Sequence, residues 1–508
     1  MIDGWRDLAS RMRTVQPAQC EPSAILTKAT ANQGTWRLFP ACKLYRTGYW
    51  GNRWAERNPA LMQAKQQMVY GPRQFRERYG LMLLISLHIV VCCASLIFLA
   101  DNTDPVVADP ATFHIFFDPA RLHIAIATIA AFALVGVLFV IARFSFGYFV
   151  GFCFYTMILG YLWLNCFTDL NYDHRLAGFS AAVSAVAFLL AALFVTLPIP
   201  RPFTLSPRGF DRLLTGILLL AIAVIAAGAI YNFRLVGLGE IYNFRNALEA
   251  PKLLNYLVTI VSNALLPFAF AGLVARRAYW RAGAVLFLLL LFYPITLSKI
   301  PLLAPFWLLA MLLFSRFFAG RTAVVLSLLV PMLAGVILHV VLRRQTAAYF
   351  GMVNFRMIAI PSDALDVYYD YFSRHDFTYF CQISVLKRIM SCPYQEPLWE
   401  IMEKAYNLGN LNASLFATEG VASVGPWWAP VSAFACGLVM AFGNRMSEGL
   451  PAPFILISGA MLAIVLLNVP LSIVLLTHGA AILFLLWSVT PRTIFGPDDR
   501  LAALQARQ

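Results

Sequence analysis

The sequence predicts an all-α polytopic membrane protein with about twelve transmembrane helices. Hydrophobic residues make up 60% of the 508 positions and charged residues only 13%, whereas a soluble domain is about half apolar and about a quarter charged. Apolar runs of about 20 residues recur along the chain, and each can cross a bilayer core of roughly 30 Å as a helix. Runs such as 213–230 lack the alternation of a barrel strand, which favours helices as the spanning form.

The spans and the basic residues between them predict the orientation. We place the spans near residues 81–100, 122–142, 147–167, 177–197, 212–231, 254–275, 282–298, 302–318, 322–342, 424–443, 453–469 and 471–489. Lys and Arg near membrane spans hold a loop in the cytoplasm. Arginines recur in every second loop: Arg143, Arg201, Arg208, Arg276, Arg277, Arg281, Arg316, Arg321 and Arg445. This alternation predicts that both termini face the cytoplasm, with spans one to nine in 81–342 and spans ten to twelve in 424–490.

The segment 1–80 is predicted to be a basic cytoplasmic tail. It contains thirteen Lys/Arg and five Asp/Glu, so about eight of the fourteen net positive charges lie there. Each basic residue near anionic lipid headgroups contributes about 1 kcal/mol of attraction. No nucleic-acid-binding motif accompanies the charge, which argues against nucleic acid as a partner. The segment 491–508 is predicted to be a second, short cytoplasmic tail.

The segment 343–423 is the longest polar interruption between spans, and the alternation places it outside the cytoplasm. It carries a cluster of basic residues: Arg343, Arg344, Arg356, Arg374, His375, Lys387 and Arg388. Because basic residues are normally depleted from outward-facing loops, this cluster indicates an anionic ligand. The composition therefore points to chemistry at the outer surface of the membrane.

Within this segment, residues 360–372 predict an amphipathic helix. Pro361 or Ser362 would begin the helix, and Asp363 in the first turn suits the helix dipole. Aromatic residues then recur at helical spacing, including Tyr368 and Tyr369, and this stripe could lie on the membrane surface. Such a stripe is more often packing than ligand contact, so both interpretations stay open.

Two other outward-facing segments carry candidate ligand residues. The loop 231–252 holds Arg234, Tyr242 and Arg245. Arginines beside aromatic residues can clamp a phosphate through the planar guanidinium fork, or pair with nearby Glu side chains in an interfacial belt. Lys299 lies between two spans that have almost no other loop, where it either snorkels to the headgroups or reaches into an outward cavity.

Glu419 is the best-placed carboxylate for a general base. It precedes the tenth span in a stretch of small residues, where Gly420 and Gly425 permit close backbone approach. A Glu at this position is equally consistent with a helix cap.

The nine cysteines do not predict a disulfide scaffold or a zinc site. Several lie in apolar spans, where Cys behaves as a small buried hydrophobe. Cys381 and Cys392 share the outer segment and can form one bridge if the compartment is oxidising.

Four stretches together resemble the bacterial oligosaccharide repeat-unit polymerases, the O-antigen polymerase family. They are Ile241-Tyr-Asn-Phe-Arg245, Thr296-Leu-Ser-Lys299, the stretch from Arg356 through Pro361 to Phe372, and the stretch from Asn412 through Glu419-Gly to Gly425. The resemblance covers roughly residues 81–490. It implies a glycosyltransferase C-like fold in the bacterial inner membrane, whose donor is a growing glycan on polyprenyl diphosphate and whose acceptor is a lipid-linked repeat unit. It implies membrane lipids, a flippase and a chain-length regulator as partners, with no metal and no cofactor.

The resemblance also suggests a role for each candidate residue. Arg245 and Arg356 would hold the diphosphate and stabilise the charge that develops on it. Glu419, and after it His375 or Asp363, would take the proton of the acceptor hydroxyl. The predicted substrate-binding set is Arg234, Tyr242, Lys299, Arg343, Arg344, Asp363, Tyr368 and Tyr369, with the tyrosines stacking on sugars.

Other classes remain open on the sequence. A ligase that moves finished glycan from polyprenyl diphosphate to another acceptor would use the same outward arginines. A secondary transporter would place its ionisable residues at mid-membrane in broken helices, and a membrane O-acyltransferase is a more distant alternative. The sequence does not specify the sugar, the linkage or the stereochemical outcome.

Overall fold

The computed structural model describes residues 59–101, 113–195, 203–237, 251–342, 347–383, 386–408 and 413–496, together with two short strands nearer the N-terminus. The chain divides into two compact units, Met1–Phe75 and Arg76–Gln508. In the first unit, strand β1 (Ala24–Ile25) pairs antiparallel with strand β2 (Phe39–Pro40). The rest of the described chain is helical or irregular.

The described α-helices are numbered in chain order. They are α1 Pro59–Ala100, α2 Leu122–Ala133, α3 Val137–Ile141, α4 Phe146–Leu164, α5 His174–Phe194, α6 Pro207–Tyr231, α7 Lys252–Ile260, α8 Leu266–Ala275, α9 Tyr279–Leu291, α10 Tyr293–Thr296, α11 Lys299–Phe317, α12 Gly320–Leu342, α13 Ala347–Met352, α14 Ile360–Phe372, α15 Leu398–Tyr406, α16 Ala422–Ser447, α17 Ala452–Asn468, α18 Leu471–Thr477 and α19 Ala480–Val489. Three π-helical turns, Val261–Leu265, Phe355–Ala359 and Phe416–Val421, and four short 3-10 turns complete the set.

Ten helices or continuous helix runs in the described residues are long and apolar enough to cross a membrane. They coincide with the first ten spans predicted from the sequence, which confirms a multi-pass membrane protein. Helices satisfy their own backbone hydrogen bonds, which the interior of a bilayer requires.

The last two predicted spans differ from regular transmembrane helices. Helix α17 has 17 residues, and the next span is broken into α18 and α19, which are bent by 60°. The break falls at His478 and Gly479, where Gly479 has φ +86°. This left-handed conformation is open to glycine at little steric cost and interrupts the helix.

Polar contacts between helix ends define two ends of the bundle. At one end, which we call the arginine end, Arg276 donates to Asp211 at 3.0 and 2.9 Å, and Arg321 donates to the Val140 carbonyl at 3.1 Å. At the other, which we call the loop end, the Asn232 amide donates to the Ile295 carbonyl at 3.0 Å. Loops that the sequence assigned to one side thus contact one another, so consecutive spans run antiparallel.

Helix α4 forms the centre of the bundle. Each of its 19 residues is buried, and α2, α5, α14 and α17 pack around it. Its aromatic side chains pack edge to face with neighbouring rings. Phe152 of α4, for example, forms a T-shaped pair with Phe139 of α3 at a ring-centroid distance of 5.2 Å. Such T-shaped pairs add to the stabilisation from apolar burial.

The first half of the long polar segment enters the bundle instead of lying outside it. The Tyr349 hydroxyl donates to the Pro331 carbonyl at 3.1 Å, and the Asn354 amide donates to the Met332 carbonyl at 2.8 Å and to Ser95 Oγ at 2.9 Å. Met332 lies ten residues before the end of α12 at Leu342, which is roughly 15 Å at 1.5 Å per residue. Residues 347–372 are therefore a re-entrant helical segment.

The prediction that helix 360–372 lies on the membrane surface is wrong. Eleven of the thirteen residues of α14 are buried, and the helix packs against α4. One of its polar side chains contacts α4, since Ser362 Oγ donates to the Met157 carbonyl at 2.9 Å. Nor does Pro361 or Ser362 begin an isolated helix, because α14 continues directly from the π-helical turn Phe355–Ala359.

Candidate functional site

Two of the predicted catalytic residues lie in π-helical turns. Arg356 is in the turn Phe355–Ala359, and Glu419 is in the turn Phe416–Val421. Helix α14 packs against both turns and so lies between them. π-Helical turns are rare and occur frequently at functional sites, because the extra residue re-aims the side chains of the turn.

The Glu419 carboxylate lies within hydrogen-bond distance of three donors. Its Oε1 accepts from the Ser472 backbone N–H at 3.0 Å and from Ser472 Oγ at 2.8 Å. Its Oε2 lies 2.7 Å from Thr418 Oγ1, whose single proton it shares with the Ser414 carbonyl at 2.9 Å. Because Ser472 lies in the first turn of α18, the carboxylate caps the broken span, and the side chain is 7% exposed. The carboxylate has four lone-pair positions, so one acceptor position remains on Oε2.

Glu419 lines an apolar groove of about 480 Å³. The groove runs between α16 and α18, and Ser432 and Ser472 are its other polar lining residues. Its outer rim includes Trp428, which is 65% exposed on the side of α16 that faces away from the protein core. Pockets that are mostly apolar with a few placed polar groups are typical of small-molecule and lipid sites.

One wall of the groove comes from the polar segment between the spans. The Thr378 N–H donates to the Ala422 carbonyl at 2.8 Å, and the Tyr379 N–H donates to the Ser423 carbonyl at 3.0 Å. Phe380 and Ile383 follow and line the groove.

Gly425 permits this close approach of the wall to α16. Its φ is +73°, and a Cβ there would lie 2.6 Å from Cζ of Phe377. A side chain at this position would therefore both strain the backbone and displace the wall.

A disulfide joins Cys381 to Cys392, as the sequence analysis considered. Cys381 is buried and directly follows the groove-lining residue Phe380 in the chain. The two cysteines are eleven positions apart in the sequence, and the bridge links the groove wall to the segment that follows it.

Arg374 and His375 lie at the outer end of α14. Arg374 donates to the Asp370 carboxylate, which also accepts from the Tyr406 hydroxyl at 2.5 Å. The His375 ring stacks on Tyr371 at a centroid distance of 3.9 Å, and its Nδ1 donates to the Tyr371 carbonyl at 2.8 Å. Both basic side chains are exposed, so they are available at the loop end rather than inside the groove.

Tyr368 and Tyr369 do not face an open site. They are 1% and 5% exposed, and Tyr369 stacks on Tyr161 at 5.4 Å and on Tyr172 at 6.1 Å. The prediction that they stack on sugars is therefore wrong, because both side chains are buried and the Tyr369 ring packs against Tyr161 of α4. Burial, together with the nearby Glu419 carboxylate, raises the pKa of the Tyr368 phenol.

A row of buried carboxyl groups lies along α14. Asp366 accepts from the Tyr172 hydroxyl, which also lies 3.0 Å from Asn165 Oδ1. The phenol has one proton for these two acceptors, so a protonated Asp366 completes the network by donating to Tyr172. Burial is the main cause that raises the pKa of Asp366 to about 6. Asp366 lies level with the connection between α4 and α5, beyond the ends of those helices.

Asp363 lies one turn deeper than Asp366. It is 1% exposed, and neither of its carboxylate oxygens has a hydrogen-bond partner among the described residues. Its burial places it away from the outer surface, which removes support for its predicted role in contact with a sugar hydroxyl or an external substrate.

Arg234 and Lys299 come together at a second corner of the loop end. The Arg234 N–H donates to the Pro294 carbonyl at 3.0 Å, and Lys299 begins α11 two residues after Leu297, which has φ +45°. Arg234 is exposed and Lys299 is half-buried. The left-handed turn at Leu297 brings the two basic residues to one side of the bundle.

Four predicted site residues lie outside the described residues: Tyr242, Arg245, Arg343 and Arg344. Their predicted roles remain predictions. Within the described ranges, no group of three or more His, Cys, Asp or Glu residues has the arrangement of a metal site.

Three residues at the site were not predicted from the sequence: Ser472, Thr418 and Phe380. Ser472 follows Pro470 at the start of a helix, which is a capping signal, but nothing in the pattern indicated that its partner is 53 residues away. Comparison of the chain with protein-family models, with curated proteins and with solved structures gives no match.

Proposed function

We propose that this chain is a membrane glycosyltransferase that joins oligosaccharide repeat units carried on polyprenyl diphosphate. The product would be a surface polysaccharide such as O-antigen, capsule or exopolysaccharide. The observation that carries the proposal is the Glu419 carboxylate in an apolar groove whose lining includes the exposed Trp428 of α16. A lipid-linked sugar has the same division into a hydrocarbon tail and a polar head.

The charges suggest which substrate meets which residue. A carboxylate repels a diphosphate, so Glu419 suits the hydroxyl of the acceptor sugar, which can donate to the remaining acceptor position on Oε2. The exposed Arg356 suits the donor diphosphate, because a guanidinium binds phosphate oxygens through two parallel hydrogen bonds.

The proposed reaction is a displacement at the anomeric carbon of the donor. Glu419 takes the proton of the acceptor hydroxyl, and the hydroxyl oxygen forms a bond to the anomeric carbon. The bond from that carbon to the diphosphate oxygen breaks, and the diphosphate leaves with the electron pair. Arg356 stabilises the charge that develops on it, with Arg245, Arg234 and Lys299 as further predicted contributors.

The disulfide supports the outward orientation that this reaction requires. Disulfides form and persist in oxidising compartments such as the bacterial periplasm and are rare in the cytosol. The Cys381–Cys392 bridge lies at the loop end, so we place that end at the periplasmic face of the inner membrane and both termini in the cytoplasm.

A secondary transporter is the second candidate, and the row of buried carboxyl groups favours it. Asp363 is buried in the re-entrant segment one turn deeper than Asp366, and ionisable residues inside the membrane often belong to proton pathways. Flux of a labelled glycolipid or ion into protein-containing liposomes would support the transporter. Glycan transfer without flux would support the enzyme.

Cells that lack the chain and carry variant copies test the proposed function. If the chain is a polymerase, lipid-linked glycans of one repeat unit should accumulate in cells that lack it and in cells that carry Arg356→Ala. The matched control is Arg316→Ala, which removes an exposed arginine from the arginine end and should restore polymer. Long but unattached polymer would indicate a ligase, and unchanged surface glycan in the deletion strain would refute both.

A further inference from the structure

We propose that the residues 376–383, which we call the wall segment, form a fitted side of the groove that grips the hydrocarbon chain of the substrate, and that the Cys381–Cys392 disulfide holds this side in place. The identity of the substrate as a polyprenyl lipid rests on the proposed function. The role of the disulfide in positioning Phe380 is independent of that function.

The wall segment is fastened to the residues that follow it. Cys381 is buried and bridged to Cys392. The Tyr394 hydroxyl donates to the Asp376 carbonyl at 2.6 Å, and the Gln382 amide donates to the Glu396 carbonyl at 3.2 Å. The disulfide is the covalent link between these two segments, and the hydrogen bonds form beside it.

The wall segment is also fastened to α16, but only at one side of the groove. Two backbone hydrogen bonds join it to Ala422 and Ser423, and Thr378 Oγ1 lies 3.1 Å from Ser423 Oγ. These contacts end at Tyr379. Beyond that residue, the disulfide and the Gln382 hydrogen bond hold the chain that carries Phe380 and Ile383.

The backbone between these two anchors is strained. Tyr379 has φ +47° and Phe380 has φ +65°, a conformation that non-glycine residues adopt rarely and only where their surroundings enforce it. Strained residues of this kind cluster at ligand-binding sites. This strained pair lies between the hydrogen bonds to α16 and the disulfide, and its second residue, Phe380, lines the groove.

The groove offers a hydrocarbon chain a continuous apolar surface. Phe380 and Ile383 line it together with Val431, Val439 and Leu475, and most of the other lining side chains are also apolar. Burial of a chain in such a groove is favourable in proportion to the apolar area covered. Removal of one wall would therefore weaken binding without touching Glu419.

A photoactivatable geranylgeranyl phosphate in phosphatidylcholine vesicles tests the proposal with the full-length protein. We expect saturable labelling of peptides within 424–439 and 471–475, which unlabelled polyprenyl phosphate competes away. The Cys381→Ser/Cys392→Ser variant and wild-type protein treated with a phosphine reductant should each require at least fivefold more probe for half-saturation.

Two further variants separate the wall from a general loss of folding. Phe380→Ala keeps the disulfide and should weaken labelling to a similar extent, whereas Phe380→Leu should restore most of it. Cys93→Ser, which changes a half-buried cysteine of α1, is the matched control and should label as wild type does.

The outcomes also separate this inference from the proposed function, because labelling requires no glycan transfer. Unchanged half-saturation in both the double-serine variant and Phe380→Ala would overturn the inference, even if the protein polymerises glycan. Weakened labelling in these variants would support it, even if no polymer forms. Labelling outside both groove helices would overturn it as well.

Discussion

Glu419 and Asp366 are both buried carboxyl groups, but the donors around their oxygens differ. Glu419 has three donors directed at its oxygens. Asp366 shares a single phenol proton with Asn165, and burial raises its pKa to about 6. The donors to Glu419 hold its carboxylate in a fixed position, whereas the shared phenol proton favours a neutral Asp366 that donates to Tyr172.

Glu419→Gln is expected to lower glycan transfer at least a hundredfold. The amide fills the same space but cannot take the acceptor proton, and loss of a general base costs about 10²–10⁴-fold. The matched control is Ser472→Ala, which removes one hydrogen bond to Glu419 and leaves the carboxylate. If Glu419 only caps α18, both variants should lose activity in step with their melting temperatures, which contradicts the catalytic role.

The raised pKa of Asp366 predicts that acid stabilises the protein. A carboxyl group with a raised pKa in the folded state contributes stability that is present below its unfolded pKa near 4 and is lost as the pH rises through about 6. The difference of roughly two pKa units corresponds to about 3 kcal/mol. We expect the melting temperature of purified protein to fall between pH 4.5 and 7.

Asp366→Asn should flatten this part of the pH profile and raise the melting temperature at pH 7.5. The exposed Asp376 provides the matched control, Asp376→Asn. A wild-type profile that rises with pH over this range, or one that Asp366→Asn leaves unchanged, would contradict the assignment.

At the scale of elements, the re-entrant segment 347–372 is the largest departure from the sequence prediction. Its insertion depends on a close approach between Asn354 and α12, where Gly335 leaves no side chain in the way. A methyl group at Gly335 would overlap Asn354 Oδ1. The Asn354 amide meanwhile bonds Ser95 and Met332, so this contact joins three parts of the bundle.

Gly335→Ala is expected to destabilise the protein by about 2 kcal/mol, through overpacking and loss of the Asn354 hydrogen bonds. Gly216→Ala is the control, because a Cβ at Gly216 meets nothing within 4 Å and alanine favours a helix by about 1 kcal/mol. Thermal unfolding in detergent measures both. Equal melting temperatures for the two variants would argue against the insertion.

Hydropathy predicted the regular spans but not the re-entrant elements, for a physical reason. A span such as α6 is apolar along its whole length, so its sequence alone identifies it. Helix α14 carries Asp363, Asp366 and Asp370 among its apolar residues, and this pattern is also that of a helix at a membrane surface. Its burial is decided by distant partners such as Tyr172 and Tyr406, which the local pattern does not contain.

The candidate site was also predictable only in part: its residues were, but the groove beside them was not. The sequence singled out Glu419 as a carboxylate just before a span, and Arg356 because no carboxylate lies near it in the sequence before Asp363. The groove beside Glu419 was not predictable, because it depends on contacts between segments far apart in sequence, such as Thr378 with Ala422.

At the scale of the whole molecule, the two ends should face opposite compartments. We expect a membrane-impermeant maleimide to label Ser391→Cys, an exposed position at the loop end, in intact spheroplasts. Arg316→Cys at the arginine end should be labelled only after permeabilisation. The reverse pattern would place the disulfide in the cytoplasm and remove the basis for outward chemistry.

Glycan transfer by the purified protein tests the central claim most directly. Proteoliposomes that contain the wild-type chain and polyprenyl-diphosphate-linked repeat units should yield a ladder of polymers on a gel. Arg356→Ala and Arg245→Ala should collapse the ladder to one or two units, since loss of an arginine that stabilises transition-state charge costs about 10²–10³-fold. Arg316→Ala should leave it intact. Polymer of normal length from both site variants, or no transfer by the wild type, would contradict the account.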